Sequence, residues 1–108
     1  MSLAFRETLE RKSRERRTAE IKIEDETAYL VSMSERQRAY CEKITRKNPE
    51  HLNAALIVQT LCDEDGNRLF SDEELDVVLE LDSRYTAILA EAAADHCSGA
   101  DLEAVIKN

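Results

Sequence analysis

Residues 61–74 constrain the fold most strongly, because they set where one helix ends and the next begins. An apolar run reaches Cys62, and Gly66 then stands where a turn favours a residue without a Cβ atom. Ser71 and Glu74 match the S-x-x-E capping box, which opens a helix. The sequence therefore predicts two helices joined by a compact acidic loop, with the first helix ending near Cys62.

The same loop carries a pattern close to that of an EF-hand calcium site. Five oxygen-bearing residues match EF-hand ligand positions when the loop is counted from its first aspartate: Asp63, Asp65, Asn67, Ser71 and Glu74. The glycine that an EF-hand needs at its sixth position is replaced by Arg68, where a left-handed backbone would cost about 1–2 kcal/mol. A capped, solvated loop is the main interpretation, and a small calcium-binding EF-hand-like regulatory protein is the alternative.

Length and composition predict one small domain. The chain has 108 residues, of which 43% are hydrophobic, enough for a modest core. Apolar runs fall short of the ~20 residues that cross a bilayer, and charge from Arg6 onward argues against a signal peptide. Cys41, Cys62 and Cys97 are odd in number and widely spaced, which favours reduced thiols. We therefore expect a cytoplasmic protein without membrane contact.

Charge is distributed unevenly along the chain. Residues 1–48 hold 12 Lys/Arg and 9 Asp/Glu, whereas residues 49–108 hold 3 and 14, for a net charge of -8. Oppositely charged halves favour head-to-tail association between copies, so we expect a homo-oligomer. The arginine-rich stretch at 6–17 is interrupted by glutamates and has no interleaved aromatic residues beyond Phe5. Nucleic-acid binding is therefore not the main expectation.

Apolar periodicity predicts a mainly α, α+β fold: a small helical domain of about four to five helices with one early β-hairpin at 20–32. Residues 1–18 are predicted to be a basic helix or flexible arm, and residues 19–108 a single domain. Ile21 and Ile23 alternate with polar residues before a predicted turn at 24–27, which contains no glycine.

Helix signals continue after the hairpin. Ser34 and Gln37 form a second capping box, which opens a helix at 35–47, and Pro49 suits the first turn of a central helix. A short helix follows the acidic loop, and Asp82 or Ser83 opens another helix that Gly99 closes. A last turn or two is predicted within 100–107.

Catalytic and metal-binding constellations are incomplete. The chain has two glycines, so a Gly-rich phosphate loop is not expected. Consecutive helical side chains such as His96 and Cys97 diverge by about 100°, so they make a poor Cys-His couple. The cysteines and histidines also lack the paired short spacings of zinc sites. We expect no enzyme, no catalytic residue, no cofactor and no metal.

Several local strings resemble the phage tail assembly chaperones of siphophages and prophages. They are the opening at residues 5–12, the strand pair ending at Val31, the helix start at 33–38 and, most clearly, the loop and capped helix start at 61–74. An alanine-rich helix leading to a glycine, here Gly99, is also similar. The resemblance covers almost the whole chain.

This resemblance implies a non-enzymatic role in phage tail morphogenesis. Several copies would hold the tape-measure protein in solution while tail-tube subunits polymerise around it, in the host bacterial cytoplasm and not in the mature virion. Two groups are the candidate partner-binding residues: the apolar pair Leu69 and Phe70, and the basic face at Arg36, Arg38 and Lys43. Packing into the core is the alternative explanation for the apolar pair.

Overall fold

The structure is a computed structural model that describes residues 3–14 and 18–97. The elements in chain order are α1 (Leu3–Arg14), β1 (Thr18–Ile23), β2 (Glu26–Val31), α2 (Glu35–Lys47), α3 (Leu52–Thr60), β3 (Leu61–Cys62), α4 (Leu75–Leu79) and α5 (Ser83–His96). Short 3-10 turns at Pro49–His51 and Asp72–Glu74 precede α3 and α4. The predicted small α+β domain with an early hairpin is confirmed. The division into an arm and a domain at residue 18 stays a prediction.

The hairpin is tighter than its sequence indicated. β1 and β2 are antiparallel, and Ile23 pairs directly with Glu26. Two residues therefore make the turn, and the predicted four-residue turn at 24–27 was wrong. Glu24 has a φ of 56°, in the left-handed region that favours glycine. With this two-residue turn, the hydrogen-bonded pairing of β1 and β2 extends to Ile23 and Glu26. Ile21 and Ile23 then lie on the more buried side of β1.

A third strand was not expected. α3 ends at Thr60, and Leu61 and Cys62 then pair with Leu30 and Tyr29 of β2. The helix predicted to end near Cys62 ends two residues earlier, and pairing of Leu61 and Cys62 with the open side of β2 satisfies backbone groups that would otherwise lack partners. The result is a three-stranded antiparallel sheet in the order β1-β2-β3.

The core surrounds α3, as the predicted central helix requires. Every residue from Ala54 to Thr60 is buried, so this helix is covered on all sides. Leu30 of β2, Val78 of α4 and Ala93 of α5 contribute the other fully buried contacts. Small side chains such as Ala93 let α5 lie close to α3. None of the described helices is both long and apolar enough to span a membrane.

The predicted caps hold the helix starts. The Oγ of Ser34 accepts a hydrogen bond from the N–H of Gln37 at 3.2 Å, and the Oε1 of Gln37 accepts one from the N–H of Ser34 at 2.8 Å. The carboxylate of Asp82 accepts from the N–H of Arg84 at 2.9 Å. The predicted helix end at Gly99 and the last turn at 100–107 lie outside the described residues.

Candidate functional site

An open groove of about 690 Å³ lies between the hairpin, the 61–74 loop and the start of α5. Its lining is mostly apolar and comprises Ile21, Ile23, Ala28, Leu61, Leu69, Phe70, Leu81, Tyr85 and Leu89. Glu26, Thr27 and Asp82 complete it. A concave apolar surface with a few polar residues is typical of a binding site.

Several groove side chains remain exposed to solvent. Leu69 is 47% exposed, Leu81 41% and Tyr85 38%, whereas Leu89 is buried beneath them. Phe70 is half-buried and packs against the core. The two predicted apolar residues thus differ: Phe70 secures the loop, and Leu69 is available for contact with another molecule. Clustered exposed apolar side chains mark interaction surfaces in soluble proteins.

A polar network holds the loop that carries Leu69. The Nε of Arg68 donates to the carbonyl of Val58 at 2.9 Å, and its Nη2 donates to the Oδ1 of Asp72 at 2.7 Å. The buried amide of Gln59 donates to the same Oδ1 at 2.8 Å. Hydrogen bonding from Arg68, followed by that from Gln59, lowers the pKa of the Asp72 carboxyl against the opposing effect of burial. The loop is therefore fixed to α3 on one side of the groove.

The backbone of the loop closes through its own polar groups. The Oδ1 of Asp63 accepts from the N–H groups of Asp65 and Asn67, each at 2.9 Å. The Oε1 of Glu74 accepts from the N–H of Ser71 at 2.8 Å, as the predicted capping box requires. Gly66 has a φ of +85°, which explains the glycine at this turn.

The calcium alternative gains no support from this geometry. Asp63 and Glu74, the first and last ligands of the predicted site, both direct oxygens to backbone N–H groups of the loop. Within residues 3–14 and 18–97, no three His, Cys, Asp or Glu side chains converge closely enough to hold a metal ion. The loop connects β3 to α4, and these carboxylates serve its own backbone.

The predicted basic face lies on a different part of the surface. Arg36, Arg38 and Lys43 are exposed on α2, and all three lie outside the groove lining. Arg38 pairs with Glu42 at 2.7 Å and with Glu35, and these hydrogen bonds raise its pKa. The charge of Arg38 is thus shared with two carboxylates. The structure does not bring the two predicted partner-binding groups together.

The three cysteines are free thiols, as predicted. Cys41 and Cys62 are buried, and Cys97 is half-buried. Burial raises the pKa of the Cys41 thiol to about 11, so this group stays protonated at neutral pH. These cysteines serve as packing residues.

Sequence reasoning did not assign Leu81, Tyr85 or the inward face of the hairpin to a binding site. Leu81 and Tyr85 are four residues apart around the start of α5, and this spacing also suits a core-facing stripe. The spacing of apolar residues along a helix is the same for a stripe buried in the core and for a stripe that lines an open groove. The placement of the hairpin opposite α5 decides the difference, and it depends on tertiary packing.

Comparison with solved structures gives an informative likeness. No protein-family model matches the chain, and no curated protein matches it by sequence. The solved structure of the bacteriophage HK97 tail assembly chaperone matches with a TM-score of 0.66 and 20% sequence identity, over 83% of this chain and 93% of that chain. The chain has a tail assembly chaperone-like fold. The predicted resemblance is therefore confirmed at the level of the fold.

Proposed function

We propose that this protein is a non-enzymatic phage tail assembly chaperone that binds the tape-measure protein and tail-tube subunits during tail morphogenesis. The similarity to the HK97 tail assembly chaperone over 93% of that chain carries the proposal. Its place of action is the host bacterial cytoplasm, and it is absent from the mature virion.

The groove supplies a physical means of holding a tape-measure segment. An amphipathic helix binds by laying its apolar face into a hydrophobic groove. Leu69, Leu81 and Tyr85 are exposed residues of the groove lining. The apolar face of a bound helix would contact them. The net charge of -8 keeps a complex with an apolar client in solution through mutual repulsion between complexes. Binding in the groove thus removes apolar surface of the tape-measure segment from water, and it requires no catalytic step.

Co-expression tests this function directly. The full chain is produced together with the long helical protein encoded beside it in the source genome, and the soluble fraction of that protein is measured. We expect the helical protein to become soluble and to co-elute with several copies of this chain. Tail-tube subunits are then added to the purified complex, and we expect them to bind it. A client that stays insoluble beside folded chaperone would refute the proposal.

Two matched variants locate the binding surface. Leu69→Asp places a charge in the groove and should abolish co-elution. Val77→Asp places the same charge on another exposed apolar residue, 49% exposed and outside the groove lining, and should leave co-elution unchanged. The double variant Arg36→Glu with Lys43→Glu reverses the basic face. If only this variant loses co-elution, the tape-measure protein binds the basic face of α2 and not the groove.

A further inference from the structure

The hairpin places a carboxylate on the sheet face that forms the groove. Directly opposed residues of an antiparallel pair share one face of the sheet, and Glu26 is opposed to Ile23. Both residues line the groove, as do Ile21 and its partner Ala28. Glu26 is therefore the one member of these two pairs that is not apolar, and its side chain is exposed.

The charge of Glu26 is not neutralised within the described part of the chain. Glu24, Asp25 and Glu26 are exposed, and none of them forms an ion pair with a described residue. Lys22 lies 3.6 Å from Glu20. Successive residues of a strand point to opposite faces, so Lys22 lies on the face of β1 opposite to its neighbours that line the groove. The hairpin side of the groove therefore carries unpaired negative charge.

The wall formed by the start of α5 differs in charge. Asp82 also lines the groove, but its Oδ2 lies 2.9 Å from the Nη2 of Arg84 and forms an ion pair with it. Leu81 and Tyr85 supply exposed apolar surface on the same wall. A segment bound in the groove thus meets apolar side chains on the α5 wall and an unpaired carboxylate on the hairpin wall.

We propose that the groove selects tape-measure segments in which a lysine or arginine lies beside the apolar face of the helix, and that Glu26 recognises this positive charge. Residues three or four positions apart are neighbours on a helix. The basic residue is therefore three or four positions from the apolar residue that contacts Ile23. A segment with an acidic residue at this place binds poorly, because two carboxylates then face each other. This inference rests on the proposed function and adds the chemical class of segment that the groove takes.

Peptide binding measures this selectivity. Overlapping synthetic peptides that cover the co-expressed helical protein are labelled with a fluorophore, and their binding to the full-length chain is followed by fluorescence anisotropy. We expect the peptides that bind to carry a basic residue beside an apolar strip. In the tightest-binding peptide, replacing this basic residue by glutamine should weaken binding about three- to fivefold, and replacing it by glutamate should weaken binding roughly tenfold or more.

Substitutions of Glu26 locate the recognition of charge. Glu26→Gln keeps the size of the side chain and removes its charge, so it should weaken binding of the basic peptide about three- to fivefold and reduce the effect of salt on binding. Glu26→Lys should weaken binding of the basic peptide and restore binding of the peptide that carries glutamate in place of its basic residue. Glu91→Lys makes the same change of charge at an exposed residue outside the groove lining, and it should leave these affinities unchanged. Circular dichroism establishes that each variant is folded.

Four outcomes would overturn the inference. They are a set of peptides of which none binds, peptides that bind without regard to their charge, a Glu26→Gln protein with unchanged affinity, and a Glu26→Lys protein that does not recover the glutamate-containing peptide. Any of these results beside successful co-elution would reject the selection of basic segments and leave the proposed function unaffected. Failure of co-elution with the whole helical protein would instead reject the proposed function itself.

Discussion

Replacing Asp72 by alanine tests how the loop beside the groove is held. The carboxylate accepts hydrogen bonds from Gln59 and Arg68 through the same Oδ1 atom. The Asp72 side chain is 49% exposed and that of Arg68 30%, so water screens their ion pair. Gln59 is 3% exposed, and its amide has little access to water. The important consequence of the substitution is therefore the loss of an acceptor for a buried donor.

The expected magnitude follows from this difference in burial. A buried donor without a partner costs about 1–3 kcal/mol, whereas an exposed ion pair contributes about 0–1 kcal/mol. Asp72→Ala should thus lower the free energy of unfolding by roughly 2 kcal/mol. Asp72→Asn keeps an oxygen acceptor and loses the charge, so it should cost about 0.5–1 kcal/mol.

Urea unfolding followed by circular dichroism measures both values. The midpoint for Asp72→Ala should fall by roughly 1 M. A double-mutant cycle with Gln59→Leu isolates the contact, because leucine removes the buried amide. Asp72→Ala should have little further effect in the Gln59→Leu background.

Two results would refute this reasoning. Equal losses for Asp72→Ala and Asp72→Asn would mean that the charge matters and not the acceptor. An unchanged effect of Asp72→Ala in the Gln59→Leu background would mean that Gln59 is not the affected partner. Either result would reassign the stability of the loop to another contact.

Three further predictions follow from the described geometry. Gly66→Ala should lower the free energy of unfolding by about 1–2 kcal/mol, measured by urea unfolding, because the new Cβ meets no atom within 4 Å and only the left-handed backbone opposes it. The pKa values of the carboxyls of Glu35, Asp72 and Asp82 are lowered in the folded state, so their stabilisation is complete above their unfolded values and is lost as pH falls through the lower folded values. The urea midpoint should consequently be constant from neutral pH to about pH 5 and decline below about pH 4. The raised pKa of Cys41 and its burial predict very slow alkylation at neutral pH, checked by mass spectrometry, with rapid reaction in denaturant.

Local signals in the sequence were sufficient to predict where helices start and which helix is central. The caps at Ser34, Ser71 and Asp82 each involve residues within three positions. They can therefore be predicted from local sequence, without knowledge of the tertiary structure. The apolar run of α3 likewise identified the central helix, since a helix that is apolar on every side is buried.

Long-range pairing was beyond the sequence analysis. The strand at Leu61–Cys62 has two residues, too few for a period-two pattern. It forms because β2, about thirty residues earlier, offers an open side. The groove also joins residues that are far apart in the chain, from Ile21 to Leu89. The exposure of Leu69 against the partial burial of Phe70 depends on the same tertiary packing.

The direct passage from α3 into β3 has a consequence for changes in chain length. No residue separates Thr60 from Leu61, so the helix and the strand share one continuous backbone. An inserted residue within α3 would rotate the helix by about 100° and move the strand register by one position. A one-residue slip exchanges the two faces of a strand, which would exchange the sides of Leu61 and Cys62. We therefore expect natural and engineered insertions to be excluded from residues 54–62.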